Sequence, residues 1–209
     1  MSNLWQSIDG DPATGIILAG GKSSRMAMDK AILTVRTRPV ITEVMDILSS
    51  VVRDILIVTN QPETFVDFHL RTVRDLIAGK GPLGGLYTGL SVSRTDLNFV
   101  VACDMPFVNP DFVRYMLDAS RGFDAVVPET VQGLEPLHAI YSKNCLAPVL
   151  EQLRAGDLKV QSLFSTIHAS YVRADEIERF DPARQMFVNM NTEREFRRAQ
   201  AIARGIIES

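Results

Sequence analysis

The chain has 209 residues, with 25 acidic and 22 basic side chains and a formal net charge of −3, so it carries no electrostatic footprint for nucleic acid, and any anionic ligand must meet a local cluster of cations. An apolar fraction of 46% suits one soluble α/β domain with a substantial core, and no apolar run approaches the ~20 residues of a membrane span. Cys103 and Cys145 are far apart and lack metal-ligand spacing, which reads as two reduced, buried thiols of a cytoplasmic protein.

Residues 1–14 contain acids but no basic region followed by an apolar one. They are expected to form a short leader rather than a signal peptide, ahead of a single domain over 15–209. Gly15-Ile16-Ile17-Leu18-Ala19 then reads as a buried strand, ended by Gly20-Gly21. Two hydroxyls, Ser23 and Ser24, and two cations, Arg25 and Lys30, follow. Glycines at such a turn let a phosphate reach backbone amides that larger side chains would hold away. The stretch therefore reads as a triphosphate-binding loop, although neither GxxxxGK[ST] nor GxGxxG is present.

Further on, Ala31 to Val35 is a short apolar segment and Arg36 to Pro39 a turn. Pro39 suits the first turn of a helix reaching Ser50. Asp54 to Asn60 is a second buried strand. Asn60, before Gln61-Pro62, reads equally as a turn former and as a polar contact at a strand end. Gln61 to Leu70 is expected to be a short helix and Thr72 to Asp75 a short strand running into a loop. Four glycines lie between Gly79 and Gly85, ahead of a helix over Leu83–Ser93. Leu97 to Cys103 is a third long strand and delivers Asp104 at its carboxyl end, where ligands gather in open α/β sheets. A carboxylate there suits Mg²⁺, a hard cation that takes oxygen ligands and bridges to phosphates. Asn109 and Pro110 supply a cap and a first helical residue, so Asp104 is not needed as that cap.

A helix over Asp111–Ser120, a strand over Asp124–Pro128 and a polar loop from Glu129 to Glu135 come next. Pro136 to Tyr141 is a fifth strand, in which His138 alternates with apolar neighbours and reads as a packed or substrate-contacting imidazole rather than a general base. Lys143 to Ala155 is an amphipathic helix stopped by Gly156. A short helix over Lys159–Ile167 and a strand over Tyr171–Arg173 follow. In Met186 to Thr192, Asn189 and Asn191 point to one side of an extended segment. Thr192 with Glu195 makes a capping box for a final helix.

Leu18-Ala19-Gly20-Gly21-Lys22-Ser23-Ser24-Arg25-Met26, followed by Asp29-Lys30, resembles the LAGGxSxRMGxDK signature of nucleotidyltransferases. Four further segments stand in the same family's order: Asp75 with Gly81-Pro82-Leu83-Gly84-Gly85, then Cys103-Asp104-Met105-Pro106, then Pro136 to Tyr141, then Asn189-Met190-Asn191-Thr192. Together they most resemble the molybdenum cofactor guanylyltransferase family. Ala27 departs from the pattern, standing where the family usually has Gly. If that position needs positive φ, Ala strains the loop by roughly 1 kcal/mol or more.

The resemblance implies a Rossmann-like three-layer α/β nucleotidyltransferase fold with a mostly parallel central sheet. It implies transfer of GMP from GTP to molybdenum-bound molybdopterin, with Mg²⁺ as cofactor and pyrophosphate as the second product. Lys30, Arg25 and Asp104 are the implied catalytic residues, with Asp104 as metal ligand. Leu18, Ala19, Gly20, Gly21, Lys30, Asn60, Asp75, Gly84, Asp104, Asn189 and Asn191 are the implied binding residues. The implied setting is cytoplasmic, away from nucleic acid and membranes, with transient contact to other cofactor-assembly proteins or molybdoenzymes. The rival readings are a molybdopterin cytidylyltransferase, another nucleotidyltransferase acting on a small phosphate, and a catalytically weak nucleotide-binding partner of the assembly machinery.

Overall fold

The structure is a computed structural model and describes residues 12–20 and 33–206. Its centre is strand β1 (Ala13–Leu18), buried at all six positions. β1 lies between β2 (Asp54–Val58) and β4 (Leu97–Ala102), parallel to both, with Ile17 level with Ile57 on one side and Val101 on the other. The short strand β3 (Arg71–Val73) extends the sheet in parallel beyond β2.

On the other flank, β7 (His138–Ser142) runs antiparallel to both β4 and β5 (Ala125–Thr130). The sheet order is β3-β2-β1-β4-β7-β5-β6, where β6 is the two-residue strand Gly133–Leu134, with β8 (Ala169–Val172) pairing in parallel with β5. The expected polar loop over 129–135 is in fact mostly ladder. β5 continues to Thr130 and turns through Val131-Gln132 into β6 (Gly133–Leu134), an antiparallel hairpin. The Thr130 hydroxyl closes that turn by donating to the Gly133 carbonyl at 3.0 Å.

Successive side chains of a strand face opposite ways, and the adjacent isoleucines of β1 enter separate cores. Ile17, Ile57, Phe99 and Val101 pack with α1 (Val40–Ser49) and α3 (Pro110–Asp118). Ile16, Leu56, Val58 and Val100 pack with α2 (Gly81–Val92) and α4 (Leu146–Ala155). The result is the expected three-layer, mostly parallel α/β fold. Two short helices complete the chain, α5 (Ala174–Glu178) and α6 (Glu193–Ala203). Among the described residues no helix is long and apolar enough to cross a membrane.

Local chemistry sets the helix starts. The Asn109 carboxamide oxygen accepts from the N–H groups of Asp111 at 2.8 Å and Phe112 at 3.2 Å, and Pro110 opens α3. Thr192 and Glu195 form the expected box at the start of α6. Three expectations shift. Pro39 precedes α1 as its cap residue, and the helices expected over 61–70 and 159–167 are the 3-10 segments Pro62–Phe68 and Val160–Ser165. Both are only six or seven residues long, short connecting segments in which the tighter 3-10 turn is commonly found. Both cysteines are buried, and burial, with Asp124 nearby, pushes the Cys145 thiol up to about 12.

Helix α2 comes close to β1 because Gly89 faces Ile16. A Cβ at Gly89 would stand 2.6 Å from Ile16 Cγ2 and 2.9 Å from Cδ1. Ile16 is fully buried and β-branched, so it has little room to yield. We predict that Gly89→Ala destabilises the fold by about 1–3 kcal/mol through overpacking, less up to about 1 kcal/mol gained in helix propensity. The denaturation midpoint should fall with an unchanged slope; an equal or higher midpoint would contradict the close approach.

Candidate active site

The sheet's hydrogen bonds continue past the ends of its parallel strands and fix which residues meet at the carboxyl edge. Ala19 N–H donates to Val58 O at 2.8 Å, Thr59 N–H to Val73 O at 2.9 Å, and Cys103 N–H to Leu18 O at 3.1 Å. Leu18-Ala19-Gly20, Asn60, Asp75 and Asp104 therefore follow directly from adjacent strands along this edge. Gly21, Arg25 and Lys30, together with Ala27, lie outside the described residues.

A cleft opens at the edge between the ends of β1 and β2 and the glycine-dense segment. It is lined by Leu18 and Gly20, by Val58 and Asn60, by Asp75, and by Gly79, Gly81, Pro82 and Gly85. The Asn60 carboxamide donates to Asp75 Oδ2 at 2.9 Å. Burial raises the Asp75 carboxyl above its ordinary range, and the Asn60 hydrogen bond opposes that rise. One oxygen is thus held by Asn60, and the carboxylate retains acceptor capacity for a ligand with paired N–H donors.

Thr88, to which no role was assigned from sequence, and Gly85 of the glycine-dense segment hold Asp75 in place. Thr88, fully buried on α2, accepts from Leu76 N–H at 2.9 Å and donates to Gly84 O at 2.9 Å, tying the Asp75 loop to the helix. Gly85 lets the helix come close, since a Cβ there would stand 3.2 Å from Leu18 Cδ2 and 3.9 Å from Asp75 Oδ1. Gly84, the expected binding glycine, does not line the cleft. A Cβ there would stand 2.7 Å from Lys80 Cβ and 3.2 Å from Ile77 O, so the glycine serves the tight turn into α2.

Asp104 is half-buried at the end of β4, and its backbone oxygen accepts from Met190 N–H at 3.1 Å. That bond draws the segment carrying Asn189 and Asn191 to the same edge. Met186 and Met190 are buried anchors, with Asn189 half-buried and Asn191 exposed. The edge thus gathers a carboxylate and two carboxamides, all hard oxygen donors of the kind that suits Mg²⁺.

His138 is fully buried and packs edge-on against Phe99 at 5.1 Å and Phe187 at 5.2 Å. Burial lowers its pKa to about 3, so the ring is neutral. Its role is packing beneath the Asn189–Asn191 segment. Glu135, by contrast, received no role from the sequence. Its N–H donates to Pro128 O at 2.9 Å and its carbonyl accepts from His138 N–H at 3.1 Å, which holds it between β5 and the start of β7. Burial pushes its carboxyl up to about 7.

For Glu135 the folded state binds its proton more tightly than the unfolded chain, so this group stabilises the fold at acid pH and that contribution is lost between about 4.5 and 7. Glu135→Gln should accordingly raise the melting temperature at pH 8 and leave it nearly unchanged at pH 4. An equal change at both values would show that the carboxyl is not desolvated.

Comparison with known proteins adds to this geometry. The family model for the MobA-like NTP transferase domain matches residues 15–173. A protein from Pelotomaculum thermopropionicum named probable molybdenum cofactor guanylyltransferase is 39% identical over 191 residues, covering 91% of this chain and 93% of its own length. A molybdenum cofactor guanylyltransferase from Syntrophotalea carbinolica is 34% identical over 88% of both chains. The crystal structure of molybdopterin-guanine dinucleotide biosynthesis protein A from Archaeoglobus fulgidus has a similar fold. Its TM-score is 0.79 at 24% identity, over 92% of this chain and 99% of the other.

Proposed function

The chain belongs to the MobA-like NTP transferase family, and from that membership we propose that it transfers GMP from GTP to molybdenum-bound molybdopterin, releasing pyrophosphate. The observation that carries the choice of base is the Asn60–Asp75 pair at 2.9 Å in the glycine-walled cleft. Guanine presents N1–H and N2–H₂ side by side, and a carboxylate accepts from both. Adenine and cytosine do not present that pair of adjacent donors. Partial desolvation of Asp75 strengthens such bonds, and the Asn60 contact limits its rotation.

In the reaction an acceptor phosphate oxygen attacks the α-phosphorus of GTP. A new P–O bond forms as the bond to the bridging oxygen breaks, and pyrophosphate leaves with that electron pair. The attacking phosphate is already anionic near neutral pH and needs no strong base. The neutral, enclosed His138 is consistent with this. Attacker and triphosphate repel one another, so the site must supply positive potential and hold the two in line. Backbone amides at Gly20-Gly21 and the side chains of Arg25 and Lys30 are the proposed supply.

Asp104 is the proposed Mg²⁺ ligand, with Asn189 and Asn191 beside it, and their oxygen chemistry fits that ion. Bound there, Mg²⁺ would neutralise charge on the phosphates. The domain is proposed to be single over 15–209.

Calorimetric titration with GTP, CTP and ATP in the presence and absence of Mg²⁺ tests this reading. GTP should bind about 10- to 100-fold more tightly than the others, the effect of one or two charge-assisted hydrogen bonds. Asp104→Ala should abolish the dependence on Mg²⁺. A preference for CTP would move the assignment to cytidylyl transfer, and binding of none of the three would reject it.

A further inference from the structure

Asp181 is buried, 7% exposed, between α5 and the Asn189–Asn191 segment. Its two carboxylate oxygens accept from successive backbone amides, Oδ1 from Gln185 N–H at 2.9 Å and Oδ2 from Met186 N–H at 2.7 Å. Its carbonyl accepts from Arg184 N–H at 3.0 Å, and its own N–H donates to Ile177 O at 3.0 Å. The turn this closes holds Arg184 at φ 51, a left-handed conformation that favours glycine. Each amide has its own carboxylate oxygen here, and an asparagine at this position would set its NH₂ group against one of the two N–H donors.

The chain leaving this turn is held at its other end by the Met190 N–H bond to Asp104 O at 3.1 Å. Between them Val188 N–H donates to Gln185 O at 3.0 Å, and Phe187 packs on His138. The span from Asp181 to Met190 is therefore fixed at both ends, and Asn189 and Asn191 flank its second anchor. Asp181 is also joined to α3, because Asn109 Nδ2 donates to the neighbouring Phe180 O at 2.9 Å.

We propose that Asp181 is a positioning residue for the metal end of the active site: its carboxylate sets the register of the segment that presents Asn189 and Asn191 beside Asp104. The inference rests on the proposed role of those asparagines.

The test is Mg²⁺ activation of GTP-dependent pyrophosphate release in Asp181→Asn, with GTP affinity measured separately in the absence of metal. Half-saturating Mg²⁺ should rise about 10- to 100-fold with a lower kcat, as when a group orienting metal ligands is lost. GTP affinity without metal should change less than about twofold, because the base cleft is built from other elements. Arg184→Gly relieves the left-handed residue. Combined with Asp181→Asn it should restore the melting temperature without restoring Mg²⁺ dependence. If it restores both, or if the double variant still cannot bind GTP, Asp181 serves folding alone and the proposal is overturned. Asn191→Ala and Asn189→Ala separate the two levels. If both leave Mg²⁺ activation unchanged, the asparagine reading itself is wrong and the proposal falls with it. If either weakens activation while Asp181→Asn does not, only the positioning role fails.

Discussion

The rest of the structure depends on the two-sided ladder of β1. Hydrogen-bonded in parallel to β2 and β4 and buried at every position, this strand has one register available. A slip of one residue would exchange Ile16 and Ile17 between the two cores. Each of these side chains is worth roughly 1.5–3 kcal/mol of burial, so the register is strongly held. Because the ladder runs on through Ala19 and Cys103, the same constraint decides what stands at the carboxyl edge. Gly20, Asn60 and Asp104 stand along one edge because their strands have no other way to pair.

The two flanks of that edge are built differently. On the nucleotide side, parallel strands and α2 bring backbone close to the cleft, with Gly85 and Thr88 fixing the distance to Asp75. On the other side, antiparallel β7 runs back along β4 and pairs in turn with β5. There the polar side chains are held by networks instead. Tyr115 donates to Glu176, which also accepts from Arg173 N–H at 3.0 Å, and Arg173 pairs with Glu129 at 2.7 Å. The nucleotide cleft is thus shaped by close approach of backbone, and the other flank by paired strands tied together by side-chain networks.

Much of this was legible in the sequence because the signals are local. Short apolar runs bounded by glycine, proline or asparagine mark β1, β2 and β4, and side-chain chemistry within four residues marks the caps at Asn109 and Thr192. The groups that escaped depend on contacts distant in sequence. Nothing near Thr88 indicates that it holds Leu76, and nothing near Glu135 indicates that it is desolvated. The β5–β6 hairpin was hidden because its two-residue turn, Val131-Gln132, lacks the usual Asn-Gly or Gly-rich chemistry. Gly84 and Gly85 are adjacent and identical as residues. Only the phase of α2 against β1 decides which one faces the cleft.

The most direct measurement of the central claim is a single-turnover reaction of the full chain with Mg²⁺, molybdenum-bound molybdopterin and, separately, GTP or CTP, counting pyrophosphate and dinucleotide together. The account predicts one pyrophosphate for each guanine dinucleotide formed and no comparable product from CTP. Product from CTP in preference to GTP, or pyrophosphate release without dinucleotide, would contradict it.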